Sequence, residues 1–311
     1  MNGVTSPLLE GLARIEPGRR ARQPGWLREL RRSAVQWVLE RGLPSGKDEG
    51  WQHTHLGPLL ELPFEPAARS THGRVVQREV DRRAGDLGGA RLVLVNGYVA
   101  PELSSLASLP RGMTVTGLDA ALAGAESRLE SLLGGPFRER PQAFTALSTA
   151  LAEDVAWVQI PAEAQLERPL HVVCMAESSA SPRMSHPRVV VLAGPRSRAT
   201  VVVSHLGAAA GTHLTNAVTH VVLEEGAALD LYQLQDEPAS AIHVALVQVR
   251  AGRGSRFTSH SLALGASSAR HEVLVRLEAE GAEVCLNGLY FADGERRLDN
   301  LTTIEHVAPR A

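Results

Sequence analysis

The 311-residue chain carries 32 basic and 34 acidic side chains, a formal net charge of −2, so no global field steers it toward nucleic acid or an anionic membrane. Aromatic residues make up only 4%, too few for a stacking platform that would grip single-stranded nucleic acid. No apolar run approaches the ~18 residues of a membrane span, and the N-terminus lacks the apolar core of a secretory signal. The cytoplasm is therefore the expected compartment.

Residues 25–41 predict a helix. Leu27, Leu30, Ala34, Trp37 and Val38 share one face, Arg28, Glu29, Arg32 and Glu40 the other, and Gly42 and Pro44 stop it. Residues 44–73, rich in Pro, Gly, His and charge, read as an ordered loop with short turns. Residues 91–99 read as two short strands around Asn96-Gly97. A second helix is expected over 118–133, closed by Gly134, Gly135 and Pro136, and a short one over 143–152.

From about residue 155 the helical period disappears. Short β-prone runs follow, each broken near a glycine: VVVLAG (189–194), VVLEEG (221–226), VQVRAG (247–252) and VRLEAEG (275–281). Gly194, Gly226, Gly252 and Gly281 stand 32, 26 and 29 residues apart, an imperfect repeat of strand, glycine turn, strand and longer return. One such unit cannot bury its own inward face. Stacking units ~4.8 Å apart makes a continuous core. Val275, Leu277 and Ala279 then face inward and Arg276, Glu278 and Glu280 outward; Ala282, Val284 and Leu286 share a face, and Val222 is expected in the core. The glycines are expected at positive φ. The fold class is mainly β: a parallel β-helix core over 151–311, preceded by a small helical and mixed domain over 1–150. An antiparallel sandwich is the competing architecture.

The chain has no P-loop, no dinucleotide-binding glycine fingerprint and no nucleophile elbow. No catalytic, cofactor-binding or metal-ligating residue is assigned. Cys174 and Cys285 make neither a disulfide framework nor a zinc motif and are expected to be buried small hydrophobes. Nine histidines lie singly between His171 and His306 and are expected on solvated strand edges, although stacked coils could align them around a metal. Glu305 and His306 should point to opposite faces. GERRLDN, between Asp293-Gly294 and Asp299-Asn300, reads as a loop. Two other functions stay open. A carbohydrate-active β-helix enzyme would need clustered carboxylates and exposed aromatics; a histidine-rich metal-binding protein would need the histidines to converge.

Several segments resemble the SufB/SufD family of the Suf iron–sulfur cluster assembly complex, its SufD kind in particular. They are GLPSGKDEGWQHTHL (42–56), with Lys47, Asp48, Glu49, Trp51 and Thr54 in place and His53 and His55 departing from the pattern; LVNGYVAPELSSL (94–106); residues 143–173, where Ser148 replaces a frequent asparagine; residues 215–235; and LNGLYFADGERRLDNLTTIEH (286–306), with Asn287-Gly288 and Asp299-Asn300 as expected. The resemblance implies a helical N-terminal part and a right-handed parallel β-helix. It implies a scaffold subunit rather than an enzyme, paired with a SufB-like subunit and a SufC-like ATPase. That complex builds an iron–sulfur cluster and uses ATP on its ATPase subunit. It also implies roughly another hundred residues, with the docking region for both partners, beyond the matched part. This chain is accordingly expected to be C-terminally truncated.

Overall fold

A computed structural model describes residues 6–15, 23–52, 54, 56–71, 73–139, 141–177, 179–208 and 211–309. Helix α1 (Pro7–Arg14) opens with Ser6 as N-cap, its hydroxyl accepting from the Leu9 N–H at 3.3 Å. Helix α2 (Gly25–Arg41) follows the sequence reading: Leu27, Leu30, Ala34 and Val38 are buried, and Gly42 (φ 76°) ends it. The stretch 44–73 is more than a loop. It holds α3 (Gly57–Glu61) and the strand β1 (Glu65–Pro66), both too short to show a period. Helix α4 (Gly73–Ala84) buries only Val76 and Val80 and is held by side-chain pairs such as Arg82–Glu79 at 2.7 Å and Gln77–Asp81 at 2.9 Å.

Strands β2 (Arg91–Val95) and β3 (Tyr98–Val99) form the expected hairpin, with Asn96 and Gly97 both at positive φ. After β4 (Thr114–Thr116) comes α5 (Leu118–Glu139), which breaks at Ala125 and runs past the glycine–proline stop. Burial of Leu129, Leu132 and Leu133 overrides that local signal. Helix α6 (Ala143–Leu151) leads into the strands.

The strands are β5 (Ala156–Ile160), β6 (Leu170–Ala176), β7 (Arg183–Ser185), β8 (Arg188–Ala193), β9 (Arg198–Gly207), β10 (His213–Leu223), β11 (Ala228–Asp236) and β12 (Ile242–Ala251). They continue with β13 (Arg256–Ala263), β14 (Ser268–Leu277), β15 (Glu283–Tyr290) and β16 (Arg297–His306). One sheet runs β16-β14-β12-β10-β8-β5-β4, the other β15-β13-β11-β9-β6-β2-β3. From β5 on, consecutive coils add one strand to each sheet and every pairing is parallel. This is a two-sheeted parallel β-helix, not a sandwich.

Between the sheets lies an aliphatic core that includes Val191, Val201, Val221, Leu231, Val249 and Phe257. The outer face of the first sheet is covered by the helical layer: Trp157, Val190, Leu192, Leu214 and Ile242 pack against α1, α2, α5 and α6. Helix α4 covers Val93, Val173 and Leu206 on the second sheet. Strands β8, β10 and β12 of the first sheet are thus buried on both faces. In β10 every residue but Val222 is buried. Val222 therefore faces outward, half-buried under the helical layer, while Val221 and Leu223 point inward; the expectation for Val222 was one residue out of register.

The glycine reading also needs correction. Gly226 and Gly281 have positive φ, but Gly194 and Gly252 do not. There a Cβ would stand 2.8 Å from Ile160 O and 2.7 Å from Leu223 O, so close approach of the next coil demands glycine. Arg196 (φ 55°) takes the left-handed position in the first of these turns.

Val221→Asp is expected to lower stability by about 4 kcal/mol, because the carboxylate has no partner inside the coil, and Val222→Asp by less than half of that. Urea unfolding of the two variants checks this; equal costs would refute the register.

Candidate functional site

Along each coil the inward positions split. Near the glycine turns they are aliphatic; at the opposite end they are polar. Cys174, His205 and Gln235 stack in register on β6, β9 and β11, and Thr215 stacks on His243 across β10 and β12. Glu237, just past β11 and 3% exposed, gathers this end together. It accepts from the Thr215 hydroxyl and from Gln235 Nε2 at 3.0 Å, and lies 2.7 Å from His243 Nδ1. Burial opposes its ionisation, but His243, the Thr215 hydroxyl and nearby His205 outweigh it and hold the carboxyl at about 2.

The His205 ring meets His243 edge-on at 4.9 Å, and neither of its nitrogens has a hydrogen-bond partner among the described residues. Burial, then His243, pushes His205 down to about 3. Burial, then His243, also pushes His271 down to about 4; its Nε2 lies 2.8 Å from Gln233 Oε1, a carbonyl that only accepts, so this nitrogen carries the proton. A cavity of about 20 Å³, room for a single water, lies among His205, Gln235, His243, Ser261 and His271. Cys174 is a neutral thiol, raised to about 12 by burial and by Glu237. The cluster can hold and orient protons and donors. Among the described residues no three His, Cys, Asp or Glu side chains converge to hold a metal ion.

Most of these histidines are therefore not solvated strand-edge residues. His171, His186, His205, His213, His220 and His243 are buried, because coil stacking and the helical layer cover both faces of their strands. His260 stays on the outer face of the second sheet, stacked on Tyr232 at 4.4 Å. Cys285 is exposed, on the uncovered outer face of β15. Glu305 turns toward Arg276, 3.4 Å away, while His306 is exposed, as the alternation requires. Asp293-Gly294 forms a turn, but Arg297–Asn300 belongs to strand β16 rather than to a loop.

A second convergence joins the ends of the chain. Arg270 on β14, 2% exposed, lies over the Trp51 ring at 3.9 Å. It donates to Gly50 O at 2.8 Å and Thr54 Oγ1 at 2.9 Å, and it pairs with Asp299 and, at 3.4 Å, with Glu272. Thr54 donates to Asp299, and Trp51 stacks on Phe144 at 5.2 Å. The family-like residues Trp51, Thr54 and Asp299 thus meet on an arginine that sequence reasoning missed. Its signal is register: Arg270 pairs with Asp299 across β14 and β16. Lys47, Asp48 and Glu49 lie in an exposed turn, where Asp48 accepts from the Ser45 N–H at 2.7 Å. Ser148 is buried in α6, and His53 and His55 lie outside the described residues.

Two predictions follow from these sites. Arg270→Lys is expected to cost about 3 kcal/mol in urea unfolding, since an ammonium cannot serve the ring, a backbone carbonyl, a hydroxyl and two carboxylates together; a cost below about 1 kcal/mol would contradict the clamp. The second concerns pH. His171, His205, His213 and His271 are held near 3–4 in the fold against an ordinary 6.5, so between these values the unfolded chain binds more protons. Stability is then full above pH 6.5 and falls on acidification, each imidazole contributing up to about 1.4 kcal/mol per pH unit. Glu237 adds a further loss below 4.5. Thermal melts from pH 7.5 to 4.5 should show a falling Tm, and a flat Tm between 7 and 5 would refute neutral burial.

Two family models match the chain in order: the SufBD protein N-terminal region over residues 20–172 and the SufBD core domain of SUF system FeS cluster assembly over 174–311. The chain is 26% identical over 284 residues to an iron–sulfur cluster assembly SufBD family protein of Synechocystis, covering 88% of this chain and 62% of that protein. It is 25% identical over 274 residues to the iron–sulfur cluster assembly protein SufD of Escherichia coli, covering 88% and 61%. The chain thus spans about three fifths of the length of these relatives. With both models in sequence on a helical layer and a parallel β-helix, the chain belongs to the SufBD family.

Proposed function

We propose that the chain is a SufD-like scaffold subunit in iron–sulfur cluster assembly, working in the cytoplasm with a SufB-like subunit and a SufC-like ATPase, and that it catalyses no reaction itself. The observation that carries this reading is the family match along the β-helix, together with how the coil uses its polar groups. The buried histidines, Glu237 and the glutamines are turned inward on one another, and the interior cavity of about 20 Å³ is too small for an organic substrate. The cluster is cargo of the assembly, and ATP is consumed by the ATPase subunit.

Affinity purification of the native gene product from its own cells tests the proposal. Recovery of SufB-like and SufC-like subunits, with lowered activity of iron–sulfur enzymes when the gene is deleted, is the expected result. Repeated purification with neither partner and unaffected iron–sulfur enzymes would overturn it.

A further inference from the structure

A cleft of about 310 Å³ opens between α5 and the outer face of the first sheet, apart from the interior cluster. Leu132, Val222 and Leu274 form its apolar wall, His220 and Gln248 its floor. Arg250 and Arg276 stand at the rim, paired with Glu278 at 2.8 Å and Glu305 at 3.4 Å, so the rim charges balance.

The imbalance lies behind the floor. Arg188, 2% exposed, donates to Thr149 Oγ1 at 3.1 Å and to Leu133 O at 3.5 Å, and its Nη2 lies 3.0 Å from His220 Nε2. No carboxylate lies within ion-pairing distance of it among the described residues. A guanidinium only donates, so His220 Nε2 accepts and its proton sits on Nδ1. Gln248 stands beside that ring on the cleft floor; its carboxamide oxygen is buried with no hydrogen-bond partner among the described residues, so its NH2 group is the end that reaches the cleft. A buried cation without counter-charge, a neutral imidazole and a carboxamide donor thus stand one behind the other at an apolar pocket.

We infer that this cleft binds a small amphipathic organic anion, an aromatic carboxylate or sulfonate of one or two rings. The anionic head takes the Gln248 donor and the field of Arg188; the rings lie on Leu132, Val222 and Leu274. The volume suits a ligand of that size.

Calorimetric titration of the purified chain with naphthalene-1-sulfonate tests this. Inorganic phosphate supplies the charge without the rings, and 1-naphthol the rings without the charge. One saturable site per chain is expected, with phosphate and naphthol each at least about tenfold weaker. Gln248→Glu keeps the shape, turns a carboxylate toward the His220–Arg188 chain and repels the probe, so affinity falls at least about tenfold while the melting temperature is maintained. Leu132→Trp fills the cleft and is expected to remove binding whatever the fate of the first variant. Absence of a saturable site, naphthol as tight as the sulfonate, or unchanged affinity in Leu132→Trp would overturn the inference.

Discussion

A strand covered on both faces cannot send its polar groups to water, and that constraint shapes this molecule. Sheet-on-sheet stacking closes the inside of the coil, and α1, α2, α5 and α6 close the outside of the first sheet. A histidine, glutamine or carboxylate placed on such a strand finds partners mainly in the neighbouring coil, because register brings residues some 26 to 31 positions apart side by side. Glu237 is the extreme case: ionised where burial disfavours it, and sustained by Thr215 from the preceding coil, by Gln235 two residues before it and by His243 six residues after it. The repeat does more than build a core. It assembles a polar file along the axis from residues that look isolated in the chain.

The same principle ties the helical layer to the coil. Arg270 spends its donors on Gly50, Thr54, Asp299 and Glu272 and its face on Trp51, so the segment around Trp51 is fixed to the last two strands of the first sheet. Neither part reaches this arrangement alone. Without the segment around Trp51, β14 would bury the Arg270 guanidinium with incomplete pairing.

Legibility in the sequence followed exposure. The last coils showed their alternation plainly because β15 and β16 have one uncovered face: Val284 and Leu286 lean on the core while Glu283 and Cys285 stand in water. In β8, β10 and β12 both faces are buried, the period dissolves into continuous apolar runs, and Val222 could not be told from Val221. The histidines were misread for the same reason. Helix α4 escaped notice because two valines mark no face, and α3 and β1 because a period needs length. Arg188, Glu237 and Arg270 were invisible for a different cause: their partners are set by register and by helix docking, and neither is written in local pattern.

Arg188 and Arg270, two of the three buried arginines among the described residues, show what the fold has and has not resolved. Both are 2% exposed and both sit on the outer face of the first sheet. Arg270 has two carboxylates and an aromatic face. Arg188 has a hydroxyl, a carbonyl and an imidazole, all neutral, and burial lowers its pKa to about 9, with Arg31 adding to the shift. At neutral pH it still carries its charge, and a charge kept dry without a counter-ion works against stability. Polar but neutral neighbours can solvate such a cation without cancelling its field. The field then extends through His220 to the solvent-reached cleft, where the rim carboxylates among the described residues are already paired: Glu305 with Arg276 and Glu278 with Arg250. A structural role alone would be served equally well by a methionine of similar volume, which carries no such cost. The charge makes physical sense when something outside the chain completes the pair.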